Sequence, residues 1–251
     1  MSPPLVSLRG VGKTFANGVT ALDNVSLDLR AGGFLSLVGP SGCGKSTVLR
    51  LIAGLARPDR GEILWAETRP RIGFVFQDAT LLPWANVFDN VRLPLRLAGQ
   101  GARDSAAAVA EALRLVGLAD FAAAYPRELS GGMKMRVSIA RALVQRPHLL
   151  LMDEPFAALD EIARLRLNDD LLRLKAETGA SVVFVTHSVY ESAYLSDRIA
   201  VMSPRPGAIA AIIDVADDGP RTRDFRRAPA YLDACAAAAD ALRAHAGKAV
   251  A

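Results

Sequence analysis

Four short apolar runs along the chain have the length and composition of buried strands. Rich in β-branched, aromatic or leucine side chains, they are FLSLV (34–38), GFVF (73–76), LLLM (149–152) and SVVFV (181–185). A polar or glycine-rich element follows each run directly. Ligands of an open parallel sheet bind beyond the carboxyl ends of its strands. The pattern therefore predicts one ligand site assembled from four places in the sequence.

Other parts of the chain show different periodicities. Residues 1–33 and about 61–72 alternate as half-buried antiparallel strands do, whereas about 86–146 have helical spacing. We expect an α/β fold: a parallel-sheet core with an N-terminal antiparallel β-subdomain and an inserted helical subdomain. Further on, RIAVMS and AIAAIIDV predict two strands joined by the turn PRPG, before a charged linker and an alanine-rich helix. The predicted division is one domain over 5–230 and a helical tail over 231–251.

Composition and charge limit the classes of protein to which this chain can belong. The chain has 251 residues, 51% of them apolar, so it can bury a sizeable core. Its formal net charge is +4, but the basic residues are scattered, which gives little support for nucleic-acid binding. Two cysteines make no disulfide framework and favour a reducing compartment. The N-terminus lacks a signal-peptide pattern, and no run reaches the roughly 18 apolar residues of a membrane span. We therefore expect any link to a membrane to come from a partner.

A phosphate-binding motif follows the first strand. GPSGCGKS fits G-x-x-x-x-G-K-[ST] and leads into the amphipathic run TVLRLIAGL. Glycines permit positive φ and let successive N–H groups cradle phosphates, Lys45 would reach the β- and γ-phosphates, and Ser46 would ligate Mg²⁺. An ordinary glycine-rich turn is the alternative. The predicted nucleotide-binding residues are Gly39, Pro40, Ser41, Gly42, Cys43, Gly44, Lys45, Ser46 and Thr47.

Polar side chains at the other strand ends supply the rest of the predicted chemistry. Asp153 can hold Mg²⁺, and Glu154 beside it can accept a proton from a water that attacks the γ-phosphate. The Gln77 amide can contact Mg²⁺ or that water, and the His187 imidazole can hydrogen-bond the γ-phosphate. A glutamine or histidine at a strand end often has only a structural role. The functional prediction for Gln77 and His187 therefore rests on their position at the ligand site.

A second anion-binding pattern lies at LSGGMKMR (129–136). A Ser-Gly-Gly sequence that opens a helix leaves backbone N–H groups bare, an arrangement that suits a phosphate. Met133 cannot donate a hydrogen bond from its side chain, and its spacing to Val137, Ala140 and Val144 predicts that it packs. Ser130 and the two glycines are therefore the expected anion contacts.

Together and in this order, the motifs resemble the nucleotide-binding subunits of ABC transporters. The resemblance covers about residues 5–215 and rests on GPSGCGKST, the glutamine in VFQD, LSGGM, LLLMDEP, AALD (157–160) and His187. It implies an ATPase that uses ATP and Mg²⁺, with Lys45, Glu154 and His187 as catalytic residues and Ser46, Gln77 and Asp153 at the metal.

The same resemblance implies that two copies pair head to tail, with each ATP between the phosphate loop of one copy and the signature of the other. The signature contacts would be Leu129, Ser130, Gly131 and Gly132, and the D-loop residue would be Asp160. Phe15 would stack on adenine, although an aromatic of a core strand is the alternative.

Three residues depart from the family pattern: Met133, Met135 and Ala157. None of them coincides with a residue expected to act on the phosphates. Any effect of these departures is therefore expected on communication across the dimer and not on hydrolysis itself.

A finer resemblance is to the nitrate, sulfonate and taurine importers within that family. It rests on LLPWANVFDNV (81–91), the methionine after LSGG, and DRIAVMSPRPG (197–207). It implies two integral-membrane permease subunits that dock at Leu81, Leu82 and Trp84, and an external solute-binding protein. The chain would be peripheral on the cytoplasmic face of the inner membrane and would bind no nucleic acid. Alternatively, Trp84 only packs the helical subdomain.

Two other functions stay open at this point. Soluble ABC ATPases act on nucleic acid or the ribosome, but they usually carry two cassettes or a long coiled-coil insertion, and the sequence shows neither. An exporter ATPase is disfavoured mainly by the finer resemblance.

Overall fold

The computed structural model describes residues 4–216 and 221–246, which form two compact units. The first unit holds the described residues up to Arg69 and from Ser181 onward, and the second is Pro70–Ala180. In chain order the strands are β1 Pro4–Thr14, β2 Thr20–Arg30, β3 Phe34–Val38, β4 Arg60–Trp65, β5 Ile72–Val75, β6 Leu149–Asp153, β7 Ser181–Thr186, β8 Arg198–Met202 and β9 Ile209–Asp214. The α-helices are α1 Lys45–Ile52, α2 Val87–Leu97, α3 Ala102–Leu115, α4 Gly131–Leu143, α5 Glu161–Thr178, α6 Val189–Leu195 and α7 Pro229–Ala246.

An antiparallel sheet of three strands, in the order β2-β1-β4, opens the first unit. Residues 25–30 of β2 alternate between buried and less buried positions, and Leu8 of β1 pairs with Leu27 on one side and Ile63 on the other. Alternation is typical of a sheet with one face on a core and one toward solvent. This sheet is the N-terminal antiparallel β-subdomain expected from the sequence.

The remaining strands of the first unit lie side by side in the order β7-β3-β8-β9. β3 is parallel to both of its neighbours, and β9 returns antiparallel to β8. All five residues of β3 are buried, as in parallel sheets covered on both faces. Val38 therefore ends a central strand, and the phosphate motif begins directly after it.

The helical tail α7 packs against α6, β8 and β9 of the first unit, and the segment before α7 contacts α6 as well. The Tyr194 hydroxyl donates to the Arg221 carbonyl at 3.1 Å, and the Arg226 guanidinium lies 3.5 Å from the centre of the Tyr194 ring. Burial raises the pKa of both the Tyr231 phenol and the Cys235 thiol on α7. The predicted charged linker lies partly outside the described residues, and its described part includes a 3-10 turn, Arg223–Arg227.

In the second unit, β5 and β6 pair in parallel, and α2, α3 and α4 pack on one another within the predicted helical range. Arg136 on α4 forms an ion pair of 2.6 Å with Asp170 on α5. Both side chains are largely buried, so solvent screens this pair less than a surface pair.

No helix within residues 4–216 and 221–246 is both long enough and apolar enough to cross a membrane.

Candidate functional site

The glycines of the phosphate motif have a conformation and a packing that other residues would disturb. Gly42 and Gly44 have φ of +76° and +105°, in the left-handed region that L-residues seldom adopt. A Cβ on Gly44 would lie 2.5 Å from Leu22 Cδ2 and 2.9 Å from the Ala21 carbonyl oxygen. The loop thus turns tightly against β2 before α1 begins at Lys45.

Lys45 brings a buried positive charge to this loop. Its side chain is 5% exposed, and Nζ donates to the carbonyls of Gly39 at 2.8 Å and Pro40 at 3.1 Å. Ser46 and Thr47 occupy the first turn of α1, at the helix end where the backbone dipole favours an anion. A charged amine, helix-terminal amides and two hydroxyls together make a strong site for phosphate.

His187 emerges beside the phosphate loop at the same edge of the sheet. Val38 and Thr186 are paired residues of β3 and β7, so Gly39 and His187 are the residues directly after a matched pair. His187 is exposed, whereas Thr186 is buried. Within the first unit, the carboxyl ends of β3 and β7 therefore lie at one edge of the sheet, as the sequence predicts.

A buried carboxylate organises the turn after His187, and sequence reasoning missed it. Glu191 is 7% exposed and accepts a hydrogen bond from the Thr186 hydroxyl. The Ser188 amide donates to Thr186 Oγ1 at 3.0 Å, and the Glu191 amide donates to Ser188 Oγ at 3.3 Å. Serine at an N-cap with glutamate three residues later is a capping-box pattern, so the signal was present in the sequence.

In the second unit, three predicted residues lie at one edge of the β5-β6 pair. Val75 pairs with Met152, so Gln77 and Glu154 each stand two residues past a matched pair, and Asp153 stands one past it. Gln77 is exposed and both acids are half-buried. Oxygen donors of this kind suit Mg²⁺, a hard cation that takes one or two carboxylates together with phosphate oxygens and water.

Glu154 has a strained backbone. Its φ is +45°, an unusual value for a residue with a Cβ, and such outliers concentrate at functional sites. The Ala157 amide donates to the Glu154 carbonyl at 3.2 Å and closes the turn after β6. The position of the predicted proton acceptor is thus fixed by the strand before it and the turn after it.

The signature segment opens α4. Ser130 is the N-cap residue, and its hydroxyl accepts from the Met133 amide at 3.3 Å. Apart from its own helical turn, a Cβ on Gly132 would meet no atom of the described residues within 4 Å, so there is open space at this position. The Met133 side chain is half-buried, whereas Val137 on the same face of the helix is buried.

The D-loop lies next to this helix opening. Asp160 caps α5 by accepting from the Ala163 amide at 2.9 Å. Leu159 Cδ2 would be 3.7 Å from a Cβ on Gly131. The signature and the D-loop therefore form one continuous surface of the second unit.

Arg141 connects the signature helix to the loop that follows Gln77, and sequence reasoning missed it as well. Its guanidinium donates to the carbonyls of Ala79 and Thr80, both at 2.8 Å, and to Thr80 Oγ1 at 2.9 Å. Thr80 has φ of +47°, a strained value that these bonds hold. Burial lowers the pKa of Arg141, but a guanidinium stays charged at neutral pH.

The predicted docking loop is presented by a buried asparagine. Asn90 is fully buried; its side chain accepts from the Leu82 amide at 2.7 Å and donates to the carbonyls of Leu82, Ala85 and Asn86. Trp84 at the tip of this loop is 75% exposed. That exposure argues against the alternative in which Trp84 only packs the helical subdomain.

Phe15 lies in the turn between β1 and β2. Its amide donates to the Val19 carbonyl at 2.9 Å, and its side chain is 39% exposed. The exposure is higher than expected for a core aromatic and leaves a ring face available for stacking.

Comparison with known proteins adds to this geometry. A family model described as ABC transporter matches residues 22–157. The chain is 47% identical to a taurine import ATP-binding protein of Rhizobium johnstonii over 80% of this chain and 79% of that protein. It is 44% identical to an aliphatic sulfonates import ATP-binding protein of Xanthomonas axonopodis pv. citri, over 91% of this chain and 92% of that protein.

A solved structure shares the fold. It is the dimeric, post-hydrolysis state of an ATP-binding cassette bound to ADP and Pi, with 34% identity and a TM-score of 0.74. The match covers 84% of this chain and 99% of that one. The fold class predicted from the sequence, a P-loop core with an antiparallel β-subdomain and a helical subdomain, is confirmed.

We expect Arg141→Ala to loosen the loop after Gln77, because Ala79 and Thr80 would lose three hydrogen bonds to a charged donor. Hydrogen exchange of peptides that cover residues 76–84 should become faster, and the free energy of unfolding in urea should fall by about 1–3 kcal/mol.

Arg173→Ala is the matched control for that variant, since Arg173 is exposed on α5 and its ion pair with Asp170 is worth little. Equal exchange across residues 76–84 in the wild type and Arg141→Ala would contradict the assigned role of Arg141.

Proposed function

We propose that this chain, which belongs to the ABC transporter family, is the ATP-hydrolysing subunit of a bacterial importer. The observation that carries the proposal is a phosphate loop with a buried lysine together with a carboxylate held in a strained backbone conformation after β6. The loop binds the triphosphate and the carboxylate accepts a proton.

The first unit would bind the nucleotide. Its loop amides and Lys45 hold the β- and γ-phosphates, and Phe15 stacks on adenine. Lys45 at present donates to two loop carbonyls, so its amine is already held at the loop before it exchanges these acceptors for phosphate oxygens.

The second unit would supply the groups for hydrolysis. Glu154 accepts a proton from the attacking water as the water oxygen bonds to the γ-phosphorus and the bond to the ADP oxygen breaks, which leaves ADP and phosphate. His187 of the first unit hydrogen-bonds the γ-phosphate. Ser46, Gln77 and Asp153 would hold Mg²⁺, which neutralises phosphate charge when bound.

The signature segment would bind a phosphate group that a second copy of this chain holds. The open helix N-terminus at Ser130 and Gly131 is a second anion site in one chain, and we propose that it contacts ATP on the phosphate loop of a partner copy. A dimeric cassette among the solved relatives supports this pairing. ATP then acts as the ligand that favours the closed pair, and hydrolysis removes it.

Transport would follow from the same closure. The exposed Trp84 loop is the proposed docking point for each of two membrane permease subunits, which would hold the chain at the cytoplasmic face of the inner membrane. Relatives named for taurine and aliphatic sulfonates support a small sulphur- or nitrogen-containing anion, delivered by an external binding protein. The solute need not contact this chain.

Glu154→Gln should lower ATP turnover by about 10²- to 10⁴-fold, because the amide cannot accept the proton. The variant should retain ATP and accumulate as a dimer, measured by light scattering after size-exclusion chromatography with ATP. Glu161→Gln is the control, since Glu161 is an exposed residue on α5. Unchanged turnover in Glu154→Gln would remove Glu154 as the general base.

The signature residues should divide into two classes. Ser130→Ala and Gly132→Asp should nearly abolish ATPase activity, since the first removes a hydroxyl and the second brings a negative charge to a phosphate site. Met133→Gln should be mild. Thermal unfolding of each variant separates loss of the helix cap from loss of catalysis, and an inactive Met133→Gln variant would refute the division.

Trp84→Ala should leave stability and the ATPase activity of the isolated chain unchanged but abolish co-purification with integral-membrane proteins from detergent extracts. Leu97→Ala is the control, because Leu97 is 78% exposed in the same unit. Retention of the same membrane partners by Trp84→Ala would contradict docking at this loop. Hydrolysis stimulated by nucleic acid, with no membrane partner recovered from the wild type, would favour a soluble ABC ATPase.

A further inference from the structure

The turn between β8 and β9, residues 203–208, lies directly against the phosphate loop within the first unit. Arg205 donates two hydrogen bonds to the Gly42 carbonyl, from Nε at 3.0 Å and from Nη2 at 2.8 Å. A Cβ on Gly42 would lie 3.0 Å from Arg205 Nη2, a tight contact that glycine avoids. This turn includes the sequence SPRPG (203–207), and none of these residues has a role in the proposed function.

Two further contacts fix the same loop. A Cβ on Gly207 would overlap the Cys43 carbonyl oxygen, so that oxygen lies directly against the buried Gly207. Gly207 is itself held to β2, since its amide donates to the Ala21 carbonyl and its carbonyl accepts from the Asp23 amide, both at 2.9 Å. The turn is therefore anchored on one strand while it contacts the loop.

The start of the loop is also in contact with this region. A Cβ on Gly39 would lie 3.0 Å from the Met202 carbonyl oxygen at the end of β8. Three positions of the loop, Gly39, Gly42 and Cys43, thus meet the segment that runs from Met202 to Gly207.

These contacts set the direction of the loop amides. A trans peptide is planar, so its C=O and N–H point in opposite directions. Arg205 holds the Gly42 carbonyl, and the Cys43 N–H accordingly turns the other way, where it donates to the Pro40 carbonyl at 3.3 Å. By the same geometry, the Cys43 carbonyl against Gly207 turns the Gly44 N–H away from Gly207.

We infer that the 203–208 turn is a clamp that preorganises the phosphate loop, with Arg205 as a positioning residue that acts through the Gly42 carbonyl. Without the clamp, the left-handed conformation at Gly42 would be one of several open to a glycine, and ordering the loop would fall to the ligand. The inference rests on the proposed binding of ATP phosphates by this loop.

The test compares Arg205→Ala with the wild type. In the ligand-free chain, hydrogen exchange of peptides that cover residues 39–47 should be faster. By isothermal titration, affinity for ATP should fall by about 3- to 10-fold, a modest loss because the two charge-assisted hydrogen bonds share one acceptor at an exposed site. The KM for ATP should rise more than kcat falls, because the groups that perform hydrolysis stay in place.

Two other variants sharpen the comparison. Arg205→Lys should restore part of the affinity, because an ammonium can still donate to the Gly42 carbonyl. Arg243→Ala is the matched control, since Arg243 is an exposed arginine of the same unit that pairs with Asp240 on its own helix. It should match the wild type in both exchange and affinity.

Unchanged exchange across residues 39–47 in Arg205→Ala would overturn the clamp, and faster exchange with unchanged ATP affinity would overturn its role in binding. Failure of the proposed function would look different: the wild type itself would not bind ATP. The exchange comparison would still decide whether Arg205 orders the loop.

Discussion

The burial of β3 on both faces is the constraint that places the chemistry of the first unit. Parallel neighbours on both sides use its backbone hydrogen bonds, and the Phe34 amide that begins it donates to the Asp197 carboxylate at 2.7 Å. Its one polar side chain, Ser36, is paired with the Ser196 hydroxyl. Further polar groups can therefore accumulate only at the two ends of the strand, and its carboxyl end is where the phosphate loop and, one strand away, His187 are found.

The backbone of this loop packs closely against neighbouring strands, and this packing requires glycines whether or not a ligand is bound. Gly44 packs against the Ala21 carbonyl and Leu22, and Gly39 against Met202. A side chain at either position would separate the loop from the strands that support it. The same residues that give phosphate access to the amides are thus needed for the loop to fit the sheet.

Sequence reasoning found the elements and most of the candidate residues because both leave local patterns. Apolar runs mark the strands, the glycine loop has a defined spacing, and the helix that begins after Ser130 follows a cap-forming sequence. Arg141 and Arg205 were missed because each donates to backbone carbonyls distant in the chain, 163 positions away for Arg205 and Gly42. Asn90 was missed although its carbonyl partners lie only four to eight positions away. Every residue has a backbone carbonyl, so no sequence pattern indicates which carbonyl a side chain will contact.

We propose that the departure from the family pattern at Met133 leaves the anion contacts of the signature unchanged. The Ser130 hydroxyl accepts from the amide of Met133, a contact that any residue except proline at position 133 would make. A hydroxyl has one proton to donate and can accept two bonds, so capping the helix leaves the Ser130 proton available for a phosphate oxygen. The Met133 side chain meanwhile lies half-buried along the helix. Because the proposed anion site is built from backbone and one hydroxyl, we expect its chemistry not to depend on which side chain follows the glycines.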